Sequence, residues 1–205
     1  LGIFTQSLLY YATVTVNLKI GTRKVENMKG KELLPFLGYS VDHPDFIAFL
    51  QAHDIDIKQL PDPKTPQKKA GGYLSFKQGI GFTFERDNPQ AAAAQKKADP
   101  EGRSIFSSED YRIKNPVGNG PLYLTRIDFF KTPATDVQLP FGLQLLDNHQ
   151  TVAKRLGEKN AHGPENSRYY EEDESDYYYD RYHVYVYFER NDPEEKLLQL
   201  GVMLK

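Results

Sequence analysis

Apolar positions along the chain follow two rhythms. Val14, Val16, Leu18 and Ile20 alternate with polar neighbours, which predicts a half-buried strand over 13–20. The spacing then lengthens. In "SVDHPDFIAFLQAHD", Phe46, Ile47, Phe49 and Leu50 form one helical stripe. With Asp42 as cap and Pro44 in the first turn, this predicts a helix over Pro44–Ala52. The two-residue period returns on either side of Gly79 in "YLSFKQGIGFTFER", predicting a hairpin of strands 73–77 and 81–85. Leu122, Leu124, Ile127 and Phe129 are the inward residues expected of a strand over Tyr123–Phe130. A second helix is predicted over His149–Leu156, with Asp147 as its cap and Gly157 as its stop. A second hairpin follows, with strands 181–189 and Leu197–Leu204. The intervening "DNPQAAAAQKKADPEGRS" reads either as a short exposed helix on the alanines or as a disordered insertion.

Part of the pattern recurs. At a constant offset of 105 residues, Leu34, Pro35 and Phe36 meet Leu139, Pro140 and Phe141. At the same offset Asp42 meets Asp147, Ile47 meets Val152 and Ala48 meets Ala153. One short helix with a few strands buries too little to stand alone, whereas two such units can share one longer sheet. The expectation is an α+β fold: two tandem helix-plus-antiparallel-strand units forming a sheet, with the short helices on one face. Its divisions are an N-terminal strand segment (1–28), a first unit with an insertion (29–131) and a second unit (132–205).

The run "LPFGLQLLDNHQTVAKRLGEK", followed by an aromatic strand and a hydrophobic one, resembles the helix-plus-sheet unit of the β-lactamase inhibitor protein fold. That unit is shared by the small outer-membrane assembly lipoproteins of the SmpA type. The "LPxGL…LG" signature is also similar to that of small bacterial proteins that partner secreted toxins. The resemblance covers residues 139–205 well and 29–84 weakly. It implies a binding protein of the immunity class. A lipid anchor is not implied, because the chain has no cysteine to carry one.

Composition narrows the chemistry. Without cysteine there is no disulfide, thiolate metal site or cysteine nucleophile, and the usage suits a reducing cytoplasm. A net charge of −2 makes no electrostatic case for direct binding to nucleic acid or an anionic membrane. No run reaches the roughly 18 apolar residues of a membrane span. The five histidines, His43, His53, His149, His162 and His183, show no metal-ligand spacing. His43 and His149 read as polar residues at helix starts, and His183 as a strand residue facing solvent. "GGYLSFKQGIG" lacks the lysine-serine pair of a phosphate loop, and no serine sits in a G-x-S-x-G elbow. The acids of 171–176 lack the spacing and glycine of a calcium loop. The expectation is a protein without catalytic activity or cofactor.

One segment remains. "RYYEEDESDYYYDRYHVYVYF" holds eight tyrosines in 21 residues, and 165–180 carries a local charge of −6. Tyrosine offers a large rigid surface with few torsions to freeze, and neighbouring acids steer a basic partner. The expected docking surface comprises Tyr169, Tyr170, Glu171, Glu172, Asp173, Glu174, Asp176, Tyr177, Tyr178, Tyr179, Tyr185 and Tyr187. Together with the resemblance, it points to an immunity protein that neutralises a cognate basic toxin, such as a nuclease. The alternative is an envelope or structural scaffold domain that uses the same sheet for assembly.

Overall fold

The structure, a computed structural model, describes residues 28–64, 73–102, 107–132, 137–157, 174–189 and 196–205. The strand expected over 13–20 and most of the segment 1–28 lie outside these residues.

The fold is α+β. Six antiparallel strands form one sheet: β1 (Tyr73–Phe76), β2 (Ile80–Glu85), β3 (Tyr123–Phe130), β4 (Glu174–Tyr179), β5 (Tyr182–Phe188) and β6 (Leu197–Leu204). Their order is β1-β2-β3-β6-β5-β4. Two three-strand blocks therefore meet at the β3–β6 pair, with Ile127 opposite Val202 and Phe129 opposite Leu200. The alanine-rich stretch is helical, as α2 (Pro89–Ala98), capped by the Asn88 side chain accepting from the Ala91 N–H.

Alternation decides which face each side chain joins. On β5 the buried residues are Tyr182, Val184, Val186 and Phe188, with half-buried ones between them. Cross-strand partners share a face, so Val184, Val202, Ile127 and Phe82 line up across four strands. On β3 the inward set changes parity between Leu124 and Ile127, although Leu122, Leu124, Ile127 and Phe129 are all fully buried. A bulge explains this: Thr83 pairs with Arg126 but Phe84 pairs with Leu124, so Thr125 is the extra residue.

Two helices cover this apolar face. α1 (Pro44–Ala52) inserts Phe46, whose ring lies 5.7 Å from that of Phe82 and 6.3 Å from that of Phe84. α3 (His149–Leu156) buries Val152 and Leu156, and its His149 ring stacks on Phe188 at 3.5 Å. Each fully buried phenylalanine or leucine here contributes roughly 1.5–3 kcal/mol. The segments before the two helices touch as well. The Gly30 N–H donates to the Gln138 carbonyl at 2.6 Å, and a side chain at position 30 would collide with that carbonyl and with Phe129.

Three local expectations are corrected. The α1 cap is His43 rather than Asp42: its Nδ1 accepts from the Asp45 N–H at 3.3 Å. The α3 cap is Asn148, which accepts from the Thr151 N–H at 3.0 Å, while Asp147 accepts from the Gln144 N–H. The buried positions of the two helices also differ by one from the expected equivalence. α1 buries Phe46 and Leu50 and α3 buries Val152 and Leu156, while Ile47 is only half-buried.

Candidate functional site

The face of the sheet opposite α1 and α3 is polar and aromatic. It displays Asp176 and Tyr178 from β4, and His183, Tyr185 and Tyr187 from β5. From β6 it shows Gln199, Gly201 and Met203, and from β3 Arg126 and Asp128. Strand alternation alone brings these residues together, since each stands opposite another of the set in the ladder.

Arg126 organises one end of the face. Its Nη2 lies 2.7 Å from Asp128 Oδ1, and its Nε lies 3.0 Å from both carboxylate oxygens. Asp128 is 1% exposed and takes a further bond from Gln199 Nε2 at 2.9 Å. The buried carboxylate is thus paired and hydrogen-bonded, as burial of a charge requires. The guanidinium continues across β6 to β5. It stands 5.1 Å from the Tyr185 ring centroid and 5.9 Å from that of Tyr187, and donates to the Tyr187 hydroxyl at 3.4 Å. Burial works against the Arg126 charge. The field and hydrogen bonds of Asp128, with the Tyr187 bond, outweigh it and hold the group above its ordinary range.

His183 organises the other end. Its Nε2 lies 2.8 Å from Asp176 Oδ2 and its Nδ1 lies 3.2 Å from the Tyr185 hydroxyl. A carboxylate oxygen accepts, so Nε2 carries a proton and Nδ1 of the neutral ring accepts from Tyr185. The imidazole sits between two phenol rings, 4.7 Å from Tyr178 and 4.2 Å from Tyr185. Lys205 Nζ stands 5.2 Å over the Tyr178 ring. The outcome is a row of tyrosines whose rings are fixed by a cation at one end and an imidazole at the other.

The residues expected to form a docking surface divide. Tyr178, Tyr185 and Tyr187 share the polar face. Tyr178 is 51% exposed, while Tyr185 and Tyr187 are half-buried. Tyr179 is exposed on the other face, its ring 5.0 Å from Phe141. Tyr177 is a core residue at 2% exposure, and burial, followed by the charge of Asp176, raises its hydroxyl above the ordinary range. Asp176 is buried against His183 rather than offered to a partner. Tyr177 and Asp176 are therefore built into the sheet, and 174–179 is a strand. Glu174 begins that strand, and Tyr169, Tyr170, Glu171, Glu172 and Asp173 lie outside the described residues.

Sequence reasoning missed Arg126, Asp128, His183, Gln199 and Gly201 as members of the site. A signal was present: Arg126 and Asp128 are the charged alternates of the otherwise uncharged "LTRIDFF". His183 was expected to face solvent, but it is half-buried and holds two partners. Among the described residues no cluster of histidine and acidic groups is suited to hold a metal ion. None of their helices is long and apolar enough to cross a membrane. Set against protein-family models, curated proteins and solved structures, the chain finds no match.

Proposed function

We propose that the protein is a binding module of the immunity class, which captures a basic protein on the polar face of its sheet. The reading rests on one observation: Tyr178, Tyr185 and Tyr187 are held in place by Arg126 and His183 within the fold itself. Ordering side chains at an interface costs roughly 0.5–1.5 kcal/mol for each one that must be immobilised. Rings already fixed by the sheet avoid much of that cost. Their hydroxyls supply polar contacts, and a phenol ring is also a favourable seat for a lysine or arginine of the partner.

The acidic run supports the basic character of that partner. Its acids Glu165, Glu171, Glu172 and Asp173 precede β4, and such a run would accelerate association with a cationic protein. A toxin acting on nucleic acid is such a protein. The shared order of helix followed by strands in both halves supports a tandem origin, as the resemblance to the inhibitor fold implies. The test is co-expression with the product of the neighbouring gene. A one-to-one complex is expected, with Tyr187→Ala weakening it about thirtyfold, the effect of losing an anchor worth about 2 kcal/mol. Equal affinity of wild type, Tyr185→Ala and Tyr187→Ala would overturn the reading.

An assembly role is the second reading, and one observation favours it. β4 ends the sheet and, among the described residues, pairs only with β5. An edge strand of six residues is a template for strand addition. Concentration-dependent self-association without a heterologous complex would select this reading.

A further inference from the structure

We propose that Tyr178 is the cation seat of the docking face, and that Lys205, which fills it in the free protein, gives way there to a lysine or arginine of the basic partner. The inference rests on the docking reading above and names the contact through which that face takes hold of a cation.

Each tyrosine of the face has a cation beside its ring, but the two cations are held differently. Arg126 serves Tyr185 and Tyr187, at 5.1 Å and 5.9 Å from their centroids. It is locked there by Asp128, whose buried carboxylate lies 2.7 Å from its Nη2. Moving that guanidinium away would leave a buried charge unpaired, so it does not exchange. Lys205 serves Tyr178, its Nζ standing 5.2 Å from the ring centroid. Among the described residues, no carboxylate pairs with this ammonium and no hydrogen bond holds it. Both Lys205 and Tyr178 are exposed. Of the three tyrosines, Tyr178 is thus the one whose cation is free to change.

The seat itself is fixed while its occupant is loose. Tyr178 stands opposite His183 in the ladder, with the two rings 4.7 Å apart, and His183 stands opposite Met203. Lys205 follows Met203 by strand alternation and so starts on the same face. Its N–H donates to the Arg181 carbonyl at 2.9 Å, which sets the backbone beside the turn between β4 and β5. Only a flexible stem then carries the ammonium to the ring. An ammonium or guanidinium of the partner offers the ring the same attraction, so the exchange replaces one cation over the ring by another. On an exposed ring that attraction is worth a factor of about two to five in binding, which a partner with further contacts readily exceeds.

The exchange is read by NMR on isotope-labelled protein titrated with unlabelled octalysine at low salt. In the free protein, the Lys205 methylene protons beside Nζ should lie upfield of ordinary lysine positions, shielded by the Tyr178 ring. They should return to those positions as octalysine binds. Lys205→Met should bind octalysine about two- to fivefold more tightly than wild type. The gain should vanish when Tyr178→Leu is added, because the seat is gone. A gain of equal size with and without Tyr178 would reflect only the loss of one positive charge, and overturns the proposal. So do Lys205 signals that stay in place while octalysine binds, or no binding of octalysine to Lys205→Met. The docking reading is judged separately, by the Tyr185→Ala and Tyr187→Ala complexes, so a failed seat is distinct from a failed docking surface.

Discussion

Arg126 reaches across the sheet because residue 201 is glycine. A Cβ at that position would sit 2.6 Å from Arg126 Nη2 and 2.9 Å from its Cζ and Nε. The glycine leaves a trough in β6, and the guanidinium lies in it between Asp128 and the two tyrosines. Gly201→Ala should make the guanidinium, the flexible end of its side chain, shift against the buried Asp128, whereas Arg126→Ala strips that carboxylate of its counter-charge altogether. Breaking such a pair costs about 3–5 kcal/mol. Arg126→Ala should cost a similar amount, and Arg126→Lys should not restore it, because an ammonium lacks the planar fork. Urea denaturation would show a lower midpoint with an unchanged slope. A Gly201→Ala midpoint equal to that of wild type would rule out the dependence.

Adjacent tyrosines should behave oppositely. Tyr177→Ala empties a core site and should cost about 3–5 kcal/mol, as large aromatic truncations do. Tyr178→Ala removes an exposed ring and should stay within about 0.5 kcal/mol of wild type. Thermal unfolding of the two variants side by side is the measurement. Similar losses in both would show that the alternation of β4 is misassigned.

Tyr177 also predicts an alkaline limit. Its folded value is raised above 10.0 by burial and by Asp176, so the neutral phenol is favoured in the native state. The stability linked to it is fully present below the unfolded value of about 10 and is lost as pH rises through the folded value. Wild type should weaken from about pH 10 upward, and Tyr177→Phe should weaken less over the same window. Parallel stability curves for the two proteins would remove Tyr177 as the cause.

Much of the fold was legible because its signals are local. The helices Pro44–Ala52 and His149–Leu156 and the strands Tyr123–Phe130 and Leu197–Leu204 occupy the residues their periodicity assigns. Caps were less legible. A short polar side chain beside another can take the same role, and the Asp42–His43 and Asp147–Asn148 pairs are decided by backbone geometry one residue later. The site was the least legible. Its row of tyrosines was visible in "YYYDRYHVYVYF", but a run of letters does not show that Tyr177 and Tyr179 face away from Tyr178. Nor does it show that Arg126, distant in sequence, lies against Tyr185, because that contact depends on strand order and on the absence of a side chain at Gly201.

The connection after β2 carries a weaker, acid-sensitive tie. Asp87 accepts from Arg112 Nε at 2.8 Å and from the Ile113 N–H at 3.0 Å. The Arg112 hydrogen bond is the main reason its carboxyl is held below the ordinary range. The stability it adds is present above the unfolded value of about 3.9 and is lost as pH falls through the folded value. Asp87→Asn should therefore be less stable than wild type at pH 6, with the gap closing below about pH 4. A gap that persists at pH 2 would trace the effect to packing rather than charge.

The order of the strands has a consequence for how the molecule is made. A ribosome delivers the strands in sequence, so β1, β2 and β3 can zip together as they emerge. β4 and β5 can form a hairpin next, but that hairpin has no strand of the first block to join. Only β6 has a seat between β3 and β5, and it is the last of the six to appear. Until it is threaded in, β3 and β5 each expose an unpaired, largely apolar edge, the kind of surface that draws nascent chains into aggregates. A stall or premature stop ahead of Leu197 would leave two half-sheets with nothing between them.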